Sequence, residues 1–418
     1  MNKAFTTVFK KSDKKKRSIL LPNLSVGFSR ICAAVLKRAG YRCLTLPLAD
    51  DNAKRLGKKY LHNDICYPAQ INIGECLAYI IKHCKNSSEL AVAIAKNCKD
   101  CRAGQYASLA RKALDDAGFG SIPIVTTGSD SKAIHPGFRL GWSEVLQLIK
   151  GLSVLDAMEK MRLAIRPWEI NKGEADKTFN AGLGQITEIL EKRSSFLLQE
   201  FQSIVRSFNS IPLCARDNRS RVLICGEILM NYHETANMHI VRYLEENGME
   251  VLLPDIVTFF EREIILTKAS VKSRLCRHPV LDTAVAYVKS LIFKKIAKDV
   301  DLVMKEFKFY SPPKTIYQLA DNVDGYIERT HAIGEGWLIM AEIIEHARQG
   351  VDNFVIIQPF GCLPNQVTGK AVIPTIKRLF SNIQIISIDY DADVSTANIE
   401  NRLQMLIMAS KSTASTFA

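Results

Sequence analysis

Four short stretches concentrate residue types that bind metals or constrain a loop around a reactive side chain. They are His62-Asn63-Asp64-Ile65-Cys66-Tyr67-Pro68, Cys98-Lys99-Asp100-Cys101-Arg102-Ala103-Gly104-Gln105-Tyr106, Cys225-Gly226-Glu227, and Gln358-Pro359-Phe360-Gly361-Cys362-Leu363-Pro364-Asn365. A proline two residues after Cys66 predicts a turn that cannot relax into regular helix. Cys101 stands where a helical pattern begins, so backbone N–H groups, the helix dipole and Arg102 all favour its thiolate. Two prolines and a glycine fix the loop around Cys362. Structural zinc usually takes paired close-spaced ligands, and only Cys98 and Cys101 form a C-x-x-C pair. That pair is open to a thiol-redox reading. Cysteines scattered over separate loops suit an iron–sulfur cluster, which needs soft thiolates and tolerates ligands distant in sequence.

The chain has eleven cysteines in 418 residues. A long chain without an apolar leader reads as a reduced, cytoplasmic protein, so these are expected to be thiols. Cys32, Cys43, Cys84, Cys214 and Cys276 lie in apolar patterns or unmarked loops and read as packing residues. Cys76 falls in the apolar helical pattern of Ile71–Ile81. No G-x-x-x-x-G-K-[ST], G-x-S-x-G or H-E-x-x-H motif occurs, so the chain shows no nucleotide-hydrolysing loop or zinc-protease helix of its own.

The elements that must position these residues repeat. Ser18–Pro22, a helix through Phe28 to Ala39, a stop at Gly40 and a strand over Tyr41–Pro47 form one unit. Arg221–Cys225, a helix through Ile240, Val241 and Leu244, a stop at Gly248 and a strand over Met249–Pro254 form its twin. Leu90–Ala95, a helix stopping at Gly118, and Ile122–Thr126 match Asn353–Gln358, a helix around Thr375–Phe380, and Ile383–Asp389. Cys101 and Cys362 thus occupy equivalent loops. Alternating strands and helices predict an α/β fold of two Rossmann-like lobes with parallel sheets, whose sites lie beyond the carboxyl ends of the strands. Helical segments are expected at 140–210 and 256–350, with breaks at Arg166–Trp168 and Ser311–Pro313. The expected organisation is a basic tail over 1–17, an N-terminal lobe over 18–210 and a C-terminal lobe over 211–418.

The chain is 47% hydrophobic and 24% charged, as in globular proteins, and has no apolar run long enough to span a membrane. The net charge of +13 gathers at the N-terminus and over Lys268–Lys308. The latter reads as an amphipathic helix with Leu281, Val285, Val288 and Ile292 on one face and solvated lysines opposite. It could dock an acidic protein or the phosphates of a nucleotide-like substrate. No nucleic-acid-binding motif accompanies this charge.

The blocks Asn63-Asp64-Ile65-Cys66-Tyr67-Pro68, Cys101-Arg102-Ala103-Gly104-Gln105-Tyr106, Gly226-Glu227-Ile228, His331 to Trp337, Gln358 to Pro364 and Ile388-Asp389-Tyr390-Asp391 together resemble the 2-hydroxyacyl-CoA dehydratase superfamily. The likeness spans roughly residues 18–410. It is greatest to the iron–sulfur domain fused behind ATPase modules in large CoA-substrate-specific enzyme activases, relatives of double-cubane cluster proteins. The resemblance implies a [4Fe–4S] cluster or a bridged double cubane between two lobes, held by Cys66, Cys101 and Cys362. Cys98 and Cys225 are the nearest further thiols for a double cubane.

It also implies a separate ATP-hydrolysing activator that supplies low-potential electrons, a small-molecule or acyl-CoA substrate, and a homodimer. The basic segment around Lys268–Lys308 is a place where the activator could dock. His62, Asp64 and Glu227 lie beside the implied cluster loops and could move protons there. Local turn or cap hydrogen bonds are their competing role. His233, Glu335 and Asn365 are candidate substrate-side groups. Three functions follow: a reductive electron-transfer protein, a 2-hydroxyacyl-CoA dehydratase subunit, or a non-catalytic cluster carrier.

Overall fold

A computed structural model describes residues 7–62, 65–95, 101–127, 134–192, 197–216, 219–331 and 333–416, with side chains to residue 411. Asp64 and Cys98 lie outside the described residues. The first lobe runs β1 (Ser18–Leu21), α1 (Val26–Arg38), β2 (Arg42–Thr45), α2 (Asp51–Tyr60), α3 (Tyr67–His83), β3 (Leu90–Ile94), α4 (Tyr106–Asp116) and β4 (Ile124–Thr126). Helices α5 (Trp142–Ile165), α6 (Glu174–Lys192) and α7 (Leu197–Asn209) follow. The second lobe runs β5 (Arg221–Gly226), α8 (Ile228–Tyr232), α9 (Ile240–Glu246), β6 (Glu250–Leu252), α10 (Ile256–Lys272), α11 (Pro279–Met304), α12 (Ile316–Asp321), α13 (Leu338–Arg348), β7 (Asn353–Pro359), α14 (Ile373–Leu379), β8 (Gln384–Tyr390) and α15 (Thr396–Thr416).

The repeat is explicit in the topology. One sheet has the order β2-β1-β3-β4 and the other β6-β5-β7-β8, with every pairing parallel. The expected stops Gly40, Gly118 and Gly248 adopt φ of +85°, +84° and +85°, a left-handed turn that glycine enters without a Cβ clash. Each helix ends there and the chain reverses into the next strand.

Both sheets are buried on both faces, as parallel sheets are. In the first, Leu20, Val92, Ile94 and Ile124 face one core, while Ile19, Leu21, Ala91 and Val125 face another. In the second, Val222, Ile224, Val355 and Ile357 face one core, and Leu223, Cys225, Phe354 and Ile356 the other. The lobes are joined by apolar contact, because Ala49, Ala53, Tyr67 and Ile71 pack into the same cluster as β5, β7 and β8. Helices α5 to α7 close over Ile31 of α1 and reach Ile256, Met304 and Phe307 in the second lobe.

Two expectations are corrected. The basic tail is docked rather than free over residues 7–17: Phe9 is fully buried, its carbonyl accepts from Gly137 N, and the Lys14 ammonium lies 4.6 Å from the centre of the Tyr41 ring, while Lys10, Lys11, Lys15 and Lys16 are exposed. One aromatic side chain is enough to tie a basic segment down, since lysine stems lie along apolar surface while their charges stay wet. Along α11 the inward residues are Ala286, Phe293, Ile296 and Met304, while Leu281, Val285 and Val288 are exposed. The helix is apolar on two sides, and packing against α10 selects the side that periodicity alone did not.

Candidate functional site

Each of the three cysteines stands at a helix start. Cys66 is the residue before α3, with Pro68 inside the first turn. The expected irregular turn is therefore the entry to a regular helix, where proline costs no hydrogen bond because the first N–H groups are unpaired anyway. Cys101 precedes a 3-10 turn, Arg102–Gln105, that runs into α4. Cys362 precedes the helical turn Leu363–Asn365, again with proline in the first turn. Cys101 follows β3 and Cys362 follows β7, the equivalent strands of the two sheets.

The loops converge. The Tyr106 hydroxyl donates to the Cys66 thiol, and Tyr106 also feels the charge of Cys101 and of Glu227. Cys362 lies within electrostatic reach of Cys66, Glu227 and Glu335. Arg102, from the first lobe, lies over the second: a Cβ on Gly361 would stand 3.3 Å from its Nη2. Cys362 is buried; Cys66 and Cys101 are half-buried as residues.

The carboxyls are held by backbone. Gly226 ends β5 at φ +143°, and a Cβ there would stand 1.9 Å from the Ile357 carbonyl oxygen. That close approach lets Glu227 N donate to Ile357 O at 3.0 Å. The Glu227 carboxylate then caps α8 by accepting from Met230 N at 2.9 Å. Glu335 is buried, and accepts from Ile228 N at 2.8 Å and from Asn365 Nδ2 at 3.1 Å. The same Asn365 nitrogen donates to Cys362 Sγ at 3.4 Å.

Burial dominates the electrostatics. It pushes the Cys66 thiol up to about 12, with Glu227 adding to it while Tyr106 and Arg102 oppose it. Burial, then Glu335, raises Cys362 further. Burial and the neighbouring Glu335 push Glu227 up to about 8, and burial raises Glu335 as well. Glu227 and Glu335 thus act on both Cys66 and Cys362, and Arg102 is the cation acting on Cys66.

Such a donor set fits a thiophilic, positively charged group, which would let the thiols ionise. Among the described residues no three His, Cys, Asp or Glu side chains stand close enough to hold a single metal ion. A cubane makes a different demand, since it takes each thiolate on a different iron.

Other expected site residues fall elsewhere. Cys225 alternates with Ile224 along β5, so its side chain enters the apolar core beside Ile265 and Ile339, with Glu342 as its nearest charge. His233 is fully buried between the lobes, its Nε2 donating to Glu75 Oε1 at 2.9 Å. His62 is exposed in the loop before Cys66, and its carbonyl accepts from Ile65 N. Cys76 is buried in α3, Cys32, Cys43 and Cys84 pack at the first lobe's cores, Cys276 is half-buried, and Cys214 is exposed.

Sequence reasoning named Arg102 as a charge beside Cys101 but missed Tyr106 as a member of the group, although it belongs to the same block. It also missed Glu75 and Asn23, which no local pattern marks. No protein-family model matches this chain, and no curated protein matches it.

Proposed function

We propose that this chain is an iron–sulfur protein that takes low-potential electrons from a separate ATP-hydrolysing activator and passes them to a small molecule. The observation that carries the reading is that Cys66 and Cys362, at helix starts in the two lobes, act on each other and on Glu227 and Glu335, while Tyr106 links Cys66 to Cys101. When bound, a [4Fe–4S] cluster or a double cubane supplies one-electron chemistry tuned by its surroundings. The chain's own residues do the rest. Tyr106 orients and hydrogen-bonds Cys66, Asn365 does the same for Cys362, and such contacts to ligand sulfurs adjust a cluster's potential. Arg102 offsets negative charge at Cys66.

Anaerobic purification with iron and sulfide analysis tests this. About four irons per chain indicates one cubane and about eight a double cubane. Colourless, iron-free protein after anaerobic reconstitution would falsify the reading. The basic hairpin of α10 and α11, with exposed Lys294, Lys295 and Lys298, supports docking of an acidic activator surface.

A second reading, a 2-hydroxyacyl-CoA dehydratase, is favoured by the Glu227 and Glu335 carboxyls, which could hold a proton near a substrate oxygen. Activator- and ATP-dependent turnover, compared on acyl-CoAs and on small reducible compounds, separates the two.

A further inference from the structure

A cavity of about 620 Å³ opens between the lobes, and none of Cys66, Cys101, Cys362, Glu227 or Glu335 lines it. Its walls are α5, the segment after β6, α13 and the apolar side chains of Leu163, Met304 and Phe307. Its size falls within the roughly 300–1,000 Å³ of small-molecule sites.

The charged groups along it are nearly all committed. Asp156 accepts from Ile256 N and Val257 N at 3.0 and 2.9 Å, capping α10 from the neighbouring helix. Asp255 accepts from Lys160 Nζ at 2.7 Å. Glu345 pairs with Lys314 at 3.3 Å. Tyr232 donates to the Pro254 carbonyl at 2.7 Å.

Among the buried acids along it, Glu342 is the exception. It is 6% exposed and lines the cavity, yet its carboxylate makes no hydrogen bond. The nearest cation-capable atom is His346 Nδ1, 3.6 Å from Oε2, and that nitrogen already donates to the Glu342 carbonyl at 2.8 Å. The charges acting on Glu342 are the Asp255 and Glu345 carboxylates against the single ammonium of Lys160.

We propose that this cavity binds a small molecule carrying a cationic nitrogen, an amine or guanidinium, whose charged head pairs with the Glu342 carboxylate. A buried carboxylate without a partner is costly, and a cation entering from solvent removes that cost with a charge-assisted hydrogen bond. Burial and then Asp255 push Glu342 up to about 8, and a paired cation would draw it back down and hold it ionised. At Glu342 an anionic head would meet the Asp255 and Glu345 carboxylates that already act on it, and a neutral one would leave it without an opposite charge. The inference is independent of what the cysteines hold.

Isothermal titration of the full chain with butylammonium, putrescine and methylguanidinium tests it, with butyrate and butan-1-ol as controls. At least one cation is expected to bind at one site while neither control does. Glu342→Gln is expected to weaken that binding roughly tenfold or more. Three silent cations, a control that binds as well as the cations, or unchanged affinity in Glu342→Gln would overturn the proposal. A readout on the unaltered chain guards against a misfolded variant. Water-soluble carbodiimide with glycine ethyl ester amidates accessible carboxyls, read at Glu342 by peptide mass spectrometry. Methylguanidinium should slow that labelling and butan-1-ol should not; equal labelling with the two overturns the assignment.

Discussion

His233 Nε2 and Glu75 Oε1 meet at 2.9 Å across the two lobes, with both side chains fully buried. The histidine's other nitrogen accepts from Ala236 N at 3.2 Å, so Nε2 carries the proton and donates to the carboxylate. Glu75 also accepts from Asn23 N at 2.7 Å. One buried carboxylate thereby ties the end of β1, helix α3 and the turn after α8 together, beside the apolar seam of Tyr67 and Ile71.

Breaking that tie leaves buried donors without an acceptor. Glu75→Ala and His233→Ala are each expected to destabilise the chain by about 1–3 kcal/mol, read as a lower urea midpoint. The double variant should lose clearly less than the sum of the two, because both remove the same bond. Strict additivity would show that the pair is not coupled.

Gly226→Ala is expected to be far more damaging than an ordinary surface change. The added carbon would collide with the Ile357 carbonyl at 1.9 Å, at a φ of +143° that L-residues rarely adopt. A loss above about 3 kcal/mol, or failure to accumulate as folded protein, is the expected outcome. Near-normal thermal stability would mean that β5 and β7 can separate at their carboxyl ends.

Glu342 predicts a pH dependence of stability. Its folded pKa is raised to about 8, against roughly 4.3 in an unfolded chain. Between those values the folded state holds a proton that the unfolded state has released, so stability falls as pH rises. Asp255, Lys160 and Glu345 set the field at this carboxyl, and His346 lies beside it. Glu342→Gln should flatten the decline between about pH 5 and pH 8 in chemical denaturation. An equally steep decline in the variant would place its origin elsewhere.

The cysteines divide into two sets with opposite expected behaviour. After anaerobic reconstitution, Cys66→Ala, Cys101→Ala and Cys362→Ala should each lose most bound iron. Cys225→Ala should keep its iron and instead lose stability, since Cys225 is a core residue beside Ile265 and Ile339. Full iron in Cys362→Ala, measured by colorimetric assay, would remove that residue from the ligands.

Much of this architecture is legible in the sequence because its signals are local. The stops at Gly40, Gly118 and Gly248, the short apolar strands and the helical spacings lie within a few residues of the structure they specify. So do the cysteine loops, which proline and glycine mark, although the turn expected at Cys66 is the entry to a helix. The repeat then follows, because two equivalent strings of local signals make two equivalent sheets.

What only the tertiary structure decided is which side of an element faces what. Along β5 both alternating sets are apolar, so the sequence does not say that Ile224 and Cys225 face different cores; packing of the helices on the sheet does. Along α11 two sides are apolar, and α10 chooses between them. His233 finds Glu75 from 158 residues away, a pairing that no window of sequence contains. The three cysteine loops could be recognised one by one from the sequence. Their interactions with Tyr106, Arg102, Glu227 and Glu335 arise because parallel strands place equivalent loops at the same end of each sheet, and burial then dominates the chemistry.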